Sequence, residues 1–302
     1  MIKDDLVVWL DGKDNTNTGT YDENASTWIN KVDPSHNWTL LNSYWKDNSV
    51  YCKGSRSGLR HSTSNPYHNS PTTYQVIVSF NSVDTTRSQW IFGKTWAYDT
   101  PYVGVQLINK QIKAQLVMSG GLTCTLTATG LTVENGKKYC ITLVTRNGEF
   151  ELYVDGRLYD SLQGVPGTIA SGANFTIGDT PSSNIGYNNA GLLGQIYSFR
   201  VYHRRLTSEE VNELYLYDTF YLSYEGPGEP PESEVPGIDA HLISRIQNKN
   251  QVYNIKDTVA RVEKIDKYEN STVTGIVDFY NGLQIQGAYV RYDQETNTVI
   301  FE

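Results

Sequence analysis

Residues 194–215 read GQIYSFRVYHRRLTSEEVNELY, and this segment decides the fold class. Its first half alternates between two faces. One face carries Ile196, Ser198, Arg200 and Tyr202, and the other carries Tyr197, Phe199, Val201 and His203. A period of two, filled with β-branched and aromatic residues, predicts a β-strand.

The second half of the segment changes period and predicts a helix. Thr207 or Ser208 can cap its first turn, which also contains two glutamates. Acidic side chains at that end meet the positive end of the helix dipole. A stripe at i, i+3 and i+4 then follows, formed by Val211, Leu214 and Tyr215. The segment therefore predicts a strand that runs into a helix of one to two turns.

Two earlier segments share this pattern of strand and turn. Residues 148–158 read GEFELYVDGRL, a strand that ends in a Val-Asp-Gly turn, and residues 6–12 read LVVWLDG, with Trp28 after them. In this order, the three segments resemble the laminin-G-like branch of the concanavalin A-like lectin/glucanase superfamily over about residues 1–222. The resemblance implies an all-β fold, a two-sheet antiparallel jelly-roll sandwich.

Composition divides the chain into three parts. We expect residues 1–224 to form the jelly roll, because short strands and turn signals follow one another there. Residues 225–237 are rich in Pro, Glu and Gly and predict a linker. Residues 238–302 predict a small helix plus β-meander module for oligomerisation or attachment. Its expected oligomerisation seam, spaced 3, 4, 3, consists of Val252, Ile255, Val259 and Val262.

Charge and hydropathy disfavour several classes of function. The net charge of −8 disfavours nucleic-acid binding, because an acidic chain repels the phosphate backbone. No apolar run approaches the roughly 18 residues that span a bilayer. The first residues lack the basic and apolar regions of a secretory signal. The three cysteines do not make a disulfide framework.

Candidate catalytic residues are few. The glucanases that this chain resembles cleave with two glutamates on one strand, in a pattern close to Glu-x-Asp-x-x-Glu, and retaining cleavage needs the carboxyl groups about 5–5.5 Å apart. That pattern is missing, and Glu149 and Glu151 lie beside an Asn-Gly turn, where we interpret them as surface charges. The five histidines show no spacing typical of metal ligands. We therefore expect a protein without enzymatic activity.

Calcium is the one cofactor that the resemblance leaves open. Asp11, Asp14 and Asn15 offer oxygen ligands within one loop. The same residue types are also what turns prefer, so ordinary turn chemistry is the competing interpretation.

Two loops carry the residue types that bind sugars. An aromatic ring packs on the apolar side of a pyranose, and Asn or Asp binds its hydroxyl groups. The candidate carbohydrate-binding residues are Trp96, Tyr98, Asp99 and Tyr102 in one loop and Tyr187, Asn188 and Asn189 in the other. Packing within the sandwich or at its rim is the alternative role for these aromatic residues.

The C-terminal part adds a second resemblance. Residues 253–261, YNIKDTVAR, and residues 281–288, NGLQIQGA, are similar to segments of tailed-bacteriophage fibre and tail-associated proteins. This implies a non-enzymatic virion protein, such as a fibre, spike or head or tail decoration, made in the host cytoplasm. Its expected partners are other virion proteins, copies of itself in a trimer, and host surface polysaccharide. The alternatives are a purely structural decoration without glycan binding and a glycoside hydrolase.

Overall fold

The computed structural model describes residues 2–54, 56–61, 71–83, 88–95, 103–169, 174–179, 191–223, 290–293 and 298–301. The chain divides into two units, Met1–Pro230 and Pro231–Glu302. In the second unit the described part is an antiparallel pair of strands, residues 290–293 and 298–301. The rest of the expected meander, the linker and the seam of Val252, Ile255, Val259 and Val262 lie outside the described residues.

Two eight-stranded sheets form the first unit, and the pairings between their strands are antiparallel. Sheet A has the order β14-β13-β12-β7-β16-β5-β4, and β1 also pairs with β16; sheet B has the order β11-β10-β9-β8-β15-β6-β3-β2. The strands are β1 Leu6–Asp11, β2 Thr27–Trp28, β3 Trp38–Leu41, β4 Tyr44–Lys46, β5 Ser49–Lys53, β6 Gly58–His61, β7 Thr72–Phe80, β8 Gln89–Thr95, β9 Val103–Ile108, β10 Gln111–Val117, β11 Thr123–Thr127, β12 Lys138–Arg146, β13 Glu149–Val154, β14 Arg157–Leu162, β15 Asn174–Ile177 and β16 Leu193–Tyr202. The predicted all-β two-sheet sandwich is confirmed.

The core lies between the sheets and is rich in aromatic residues. Phe175 of sheet B lies 5.6 Å from Trp38 and 5.7 Å from Phe199, measured between ring centroids. Because Phe199 belongs to β16 of sheet A, the contact between Phe175 and Phe199 joins the two layers. Each such buried ring stabilises the fold by about 1.5–3 kcal/mol. All three cysteines, Cys52, Cys124 and Cys140, are buried and free.

Strand β16 differs from its predicted alternation. Its pairing with β7 shifts between Ile196 and Ser198, which inserts one extra residue into β16. Ile196, Phe199 and Val201 therefore lie in the core between the sheets. Tyr197 packs instead in a cluster on the outer face of sheet A. The prediction that Tyr197 shares a face with Phe199 is wrong, because a β-bulge reverses the alternation at this point.

The predicted helix is present but longer than expected. Helix α1 spans Ser208–Ser223, about four turns. Thr207 is the cap: the Glu210 amide donates to its Oγ1 at 3.3 Å, and its own amide donates to Glu210 Oε2 at 2.8 Å. This reciprocal pair is a capping box. The buried stripe continues past the predicted end through Tyr217 and Tyr221, which explains the added length.

Helix α1 covers one half of the outer face of sheet A. Val211 and Leu214 pack against Trp9, Val144 and Tyr202. Nearer its end, Tyr215 and Leu222 pack against Ile77, Cys140 and Tyr197. Tyr217 is also buried. Within the described residues, no helix is long and apolar enough to cross a bilayer.

A buried ion pair fastens α1 to the sheet. Arg200 Nη1 donates to Asp218 Oδ2 at 2.7 Å and to Gln75 Oε1 at 2.8 Å. Arg200 and Asp218 are each only 1% exposed. Burial raises the pKa of Asp218, and the Arg200 guanidinium opposes that rise. The Arg200 guanidinium also lies 5.4 Å from the Trp9 ring, so the pair is enclosed by aromatic groups.

We predict that Asp218→Asn lowers the free energy of unfolding by about 3–5 kcal/mol, because it leaves a buried guanidinium without a counter-charge. Replacing both partners, Arg200→Met with Asp218→Leu, should cost less than half as much. Urea denaturation measures both values. The matched control is Glu149→Gln in a surface ion pair, which should cost less than about 1 kcal/mol. A loss for Asp218→Asn no larger than that of the control would contradict the role given to this pair.

Candidate functional site

Two of the three predicted calcium ligands, Asp11 and Asp14, share a lysine, while the side chain of Asn15 bonds to the backbone of Asp22. Lys31 Nζ lies 3.1 Å from Asp11 Oδ2 and 3.1 Å from Asp14 Oδ2. It also lies 4.3 Å from the centroid of the Trp9 ring. Burial lowers the pKa of Lys31, but the two carboxylates outweigh this effect and raise it overall. The ammonium group therefore supplies the positive charge at this place.

The remaining oxygens of these residues already accept hydrogen bonds. Asp11 accepts from the Lys13 amide at 3.0 Å and from the Tyr221 hydroxyl at 2.6 Å. Asp14 Oδ1 accepts from two backbone amides, those of residues 18 and 19, at 2.8 Å each. Asn15 Oδ1 accepts from the amide of residue 22, also at 2.8 Å.

This donor set does not fit calcium, which needs six to eight oxygen ligands that are free to point at the ion. The expectation of a calcium site at Asp11, Asp14 and Asn15 is corrected accordingly. Elsewhere in the part of the chain that the structure describes, no group of three or more His, Cys, Asp or Glu side chains is placed to hold a metal. The sequence does not predict the role of Lys31, because this residue lies 17 positions after Asp14 and belongs to no motif.

The two glutamates of β13 are engaged in surface ion pairs. Arg205 contacts both of them, and its Nη1 lies 3.5 Å from Glu149 Oε2. The Tyr153 hydroxyl donates to Glu151 Oε2 at 3.0 Å. These contacts agree with the interpretation of Glu149 and Glu151 as surface charges.

Sheet B differs from sheet A in its chemistry. None of the eight strands of sheet B contains an aspartate or a glutamate. The centre of its outer face is also closed, since Trp90 is 6% exposed and Gln106 is 8% exposed. Within these strands there is no pair of carboxyl groups for hydrolysis, and the two central side chains have little contact with solvent.

Both predicted sugar-binding loops fall outside the described residues, and their residues stay predictions. These are Trp96, Tyr98, Asp99, Tyr102, Tyr187, Asn188 and Asn189. The first loop follows Thr95, which pairs with Asn174 at the start of β15, and the second follows the end of β15. Because β8 and β15 are antiparallel, Thr95 and the end of β15 lie at opposite ends of this strand pair.

The open part of sheet A carries an unexpected group of side chains. Beyond the half covered by α1, strands β4, β5, β16 and β12 present tyrosines, lysines and a glutamine on the outer face. We call this surface the tyrosine–lysine strip, and its members are Tyr44, Lys46, Tyr51, Lys53, Lys138 and Gln195. Tyr197 is buried at the border between the strip and the half that α1 covers. The alternation of residues 44–46 and 49–53 around the Asp47-Asn48 turn could have placed the first four members of the strip on one face.

Aromatic rings hold the three lysines of the strip. Tyr44 and Tyr51 are cross-strand partners, and their ring centroids lie 5.0 Å apart. Lys53 Nζ lies 4.8 Å from the centre of the Tyr44 ring, and Lys46 Nζ lies 5.8 Å from that of Tyr51. These are cation–π contacts, which position an ammonium group without neutralising it.

The third lysine is held in the same way. Lys138 Nζ lies 4.2 Å from the centre of the Tyr197 ring. Partial burial lowers the pKa of Lys138, and no carboxylate of a described residue offsets this shift. Within the described part of the chain, none of the three lysines forms an ion pair.

Amide and hydroxyl groups complete the strip. Gln195 Nε2 donates to Ser49 Oγ at 2.9 Å, and Asn81 Nδ2 donates to the Tyr51 hydroxyl at 3.0 Å. Tyr44 remains 42% exposed. The strip therefore offers solvent an aromatic ring, amides and three cations on one sheet face.

We predict that Lys31→Met lowers the free energy of unfolding by about 3 kcal/mol, because it leaves two buried carboxylates without their cation. The stabilisation is fully present at neutral pH and is lost only as the pH rises through the elevated pKa of Lys31. Urea denaturation at pH 7 measures the loss, with Lys113→Met on sheet B as the matched control.

Millimolar calcium and EDTA should leave the Tm of the unmodified protein unchanged, because a folded-state ligand would raise it. A lower Tm in EDTA, or a Lys31→Met variant as stable as the control, would contradict the place given to Lys31.

A laminin-G family model, described as concanavalin A-like lectin/glucanases superfamily, matches residues 53–212, more than half of the chain. A sequence search of curated proteins found no match.

Solved structures share the fold at low identity. Trypanosoma rangeli sialidase in complex with sialic acid matches with a TM-score of 0.54 and 19% identity, over 71% of this chain and 33% of the sialidase. The receptor binding domain of botulinum neurotoxin C/D mosaic serotype matches with a TM-score of 0.50 and 13% identity, over 70% of this chain and 51% of that domain. The chain thus spans a third of the sialidase and half of the toxin domain. At such identities the likeness concerns the fold alone.

These findings correct the expected biological setting. The matched structures are a sialidase and a toxin receptor-binding domain rather than virion proteins, and they overturn the expectation of a phage fibre, spike or decoration protein. The same correction applies to the purely structural virion decoration. What the family match does establish is the domain: the chain belongs to the concanavalin A-like lectin/glucanases superfamily.

Proposed function

We propose that this protein binds carbohydrate and does not cleave it. The observation that carries the proposal is the tyrosine–lysine strip, an open surface on the sandwich of a superfamily that includes lectins. A partly exposed ring such as Tyr44 packs on the apolar side of a sugar, while amides such as Gln195 bind hydroxyl groups. The strip combines these groups within one face of one sheet.

The absence of cleavage is part of the same proposal. Most glycoside hydrolases cleave with two carboxyl groups, one on either side of the scissile bond; sialidases, which use a tyrosine nucleophile, are an exception. The strands of sheet B supply none, and the two glutamates of β13 are bound to Arg205. Binding without turnover is therefore the activity that these residues support best.

The first test is a screen of the full-length protein against immobilised polysaccharides, together with an assay for released reducing sugar. We expect retention on at least one polysaccharide and no release of sugar from it. Steady release of reducing sugar would contradict the non-catalytic part of the proposal. No retention on any polysaccharide would contradict the binding part.

We predict that the double variant Tyr44→Ala with Tyr51→Ala binds the retained polysaccharide at least about 10-fold more weakly, a loss of about 1.4 kcal/mol, because aromatic anchors dominate such contacts. Isothermal titration calorimetry measures the change. Leu158→Ala is the control, since Leu158 is 46% exposed on β14 at the opposite edge of the same sheet. Equal affinity of the double variant and the control would show that the strip is not the binding surface.

A further inference from the structure

The lysines of the strip are unusual for this chain. The protein carries a net charge of −8, so most of its surface repels anions. Against this background, Lys46, Lys53 and Lys138 share one face and form no ion pair with a described residue. Asp47, in the turn between β4 and β5, is also close in space: burial and, to a smaller extent, the Asp47 carboxylate raise the pKa of the Tyr197 hydroxyl, yet Asp47 forms no ion pair with the three lysines. A cluster of unneutralised cations attracts an anionic ligand.

The tyrosine rings also restrict where the ammonium groups lie. Each lysine rests over a ring, so less side-chain freedom remains to be lost when a ligand binds. Lys138 Nζ lies 4.2 Å from the centre of the Tyr197 ring and forms no ion pair with a described residue, so an anion at this place would meet an ammonium group without a counter-charge. The three ammonium groups are thus positioned to bind an anionic ligand before it arrives.

The register of sheet A gives the strip its length. Tyr44 pairs with Tyr51, Tyr51 with Gln195, Gln195 with Ser79, and Ser79 with Lys138. This row crosses five neighbouring strands, which lie about 4.8 Å apart, and so spans about 19 Å. A surface of that length fits several units of an extended chain better than one monosaccharide.

We propose that the tyrosine–lysine strip binds an acidic polysaccharide, with the three lysines contacting its anionic groups and Gln195 and Asn81 its hydroxyl groups. This inference rests on the proposed carbohydrate-binding function and adds the ligand class. Polyphosphate chains are a poorer fit, because they lack the hydroxyl groups that the amides and tyrosine hydroxyls would bind.

The test uses the full-length protein and four probes: polygalacturonate, carboxyl-reduced polygalacturonate, dextran sulfate and polyglutamate. We expect an acidic polysaccharide to bind at least about 10-fold more tightly than the neutral, carboxyl-reduced chain, and high salt to weaken that binding. Polygalacturonate and dextran sulfate distinguish a carboxylate from a sulfate as the recognised group. Equal binding of the neutral chain, or tighter binding of polyglutamate, would overturn the inference.

Variants assign the effect to the strip. The triple variant Lys46→Gln, Lys53→Gln and Lys138→Gln should bind the acidic chain about 10-fold more weakly, with little change for the neutral one. Lys113→Gln on sheet B is the matched control and should bind as the unmodified protein does. The single variant Lys53→Gln, at an exposed site, provides a second reading if the triple variant loses stability.

The outcomes separate the two proposals. If the neutral chain binds equally well, the ligand class is wrong but carbohydrate binding stands. If no polysaccharide binds, the proposed function itself fails. If the triple variant binds as tightly as the unmodified protein, the lysines are not the site.

Discussion

The buried pair of Arg200 and Asp218 is the constraint on which the rest of this domain depends. The attraction between two buried charges offsets the loss of their hydration only when the two groups are in close contact. The pair therefore fixes α1 in a single position on sheet A. A second anchor lies one turn further along α1, where the Tyr221 hydroxyl donates to Asp11 and Lys13 Nζ donates to the Tyr221 carbonyl. Lys31 balances the charge of Asp11 and thereby supports this anchor.

The position of α1 divides the outer face of sheet A into two halves with different roles. The covered half is apolar and aromatic, and it acts as a second core outside the sandwich. The other half carries the tyrosine–lysine strip and remains in contact with solvent. The strands of sheet B contain no acidic residue, and the side chains of Trp90 and Gln106 on its outer face are buried. Function is therefore best sought on the face that the helix leaves open.

Local patterns in the sequence predicted the fold well, but they could not predict contacts between residues that are distant in sequence. The alternation in residues 194–202 and the Thr207 cap predicted β16 and the start of α1. The bulge after Ile196 was not predicted, because it is set by pairing with β7 rather than by residue type. The ion pair between Lys31 and Asp14, at the expected calcium site, was not predicted, because the two residues lie 17 positions apart in the sequence. The strip likewise depends on the order of five strands, which alternation alone does not give.

The most direct measurement is a map of amide chemical shifts while an oligosaccharide of polygalacturonate is added. A ligand on the open half of sheet A should shift the amides of β4, β5 and the first residues of β16, together with Lys138. The amides of β9, β10 and β11 in sheet B should stay in place. Shifts concentrated in sheet B, with β4 and β5 unchanged, would contradict the assignment of function to the tyrosine–lysine strip.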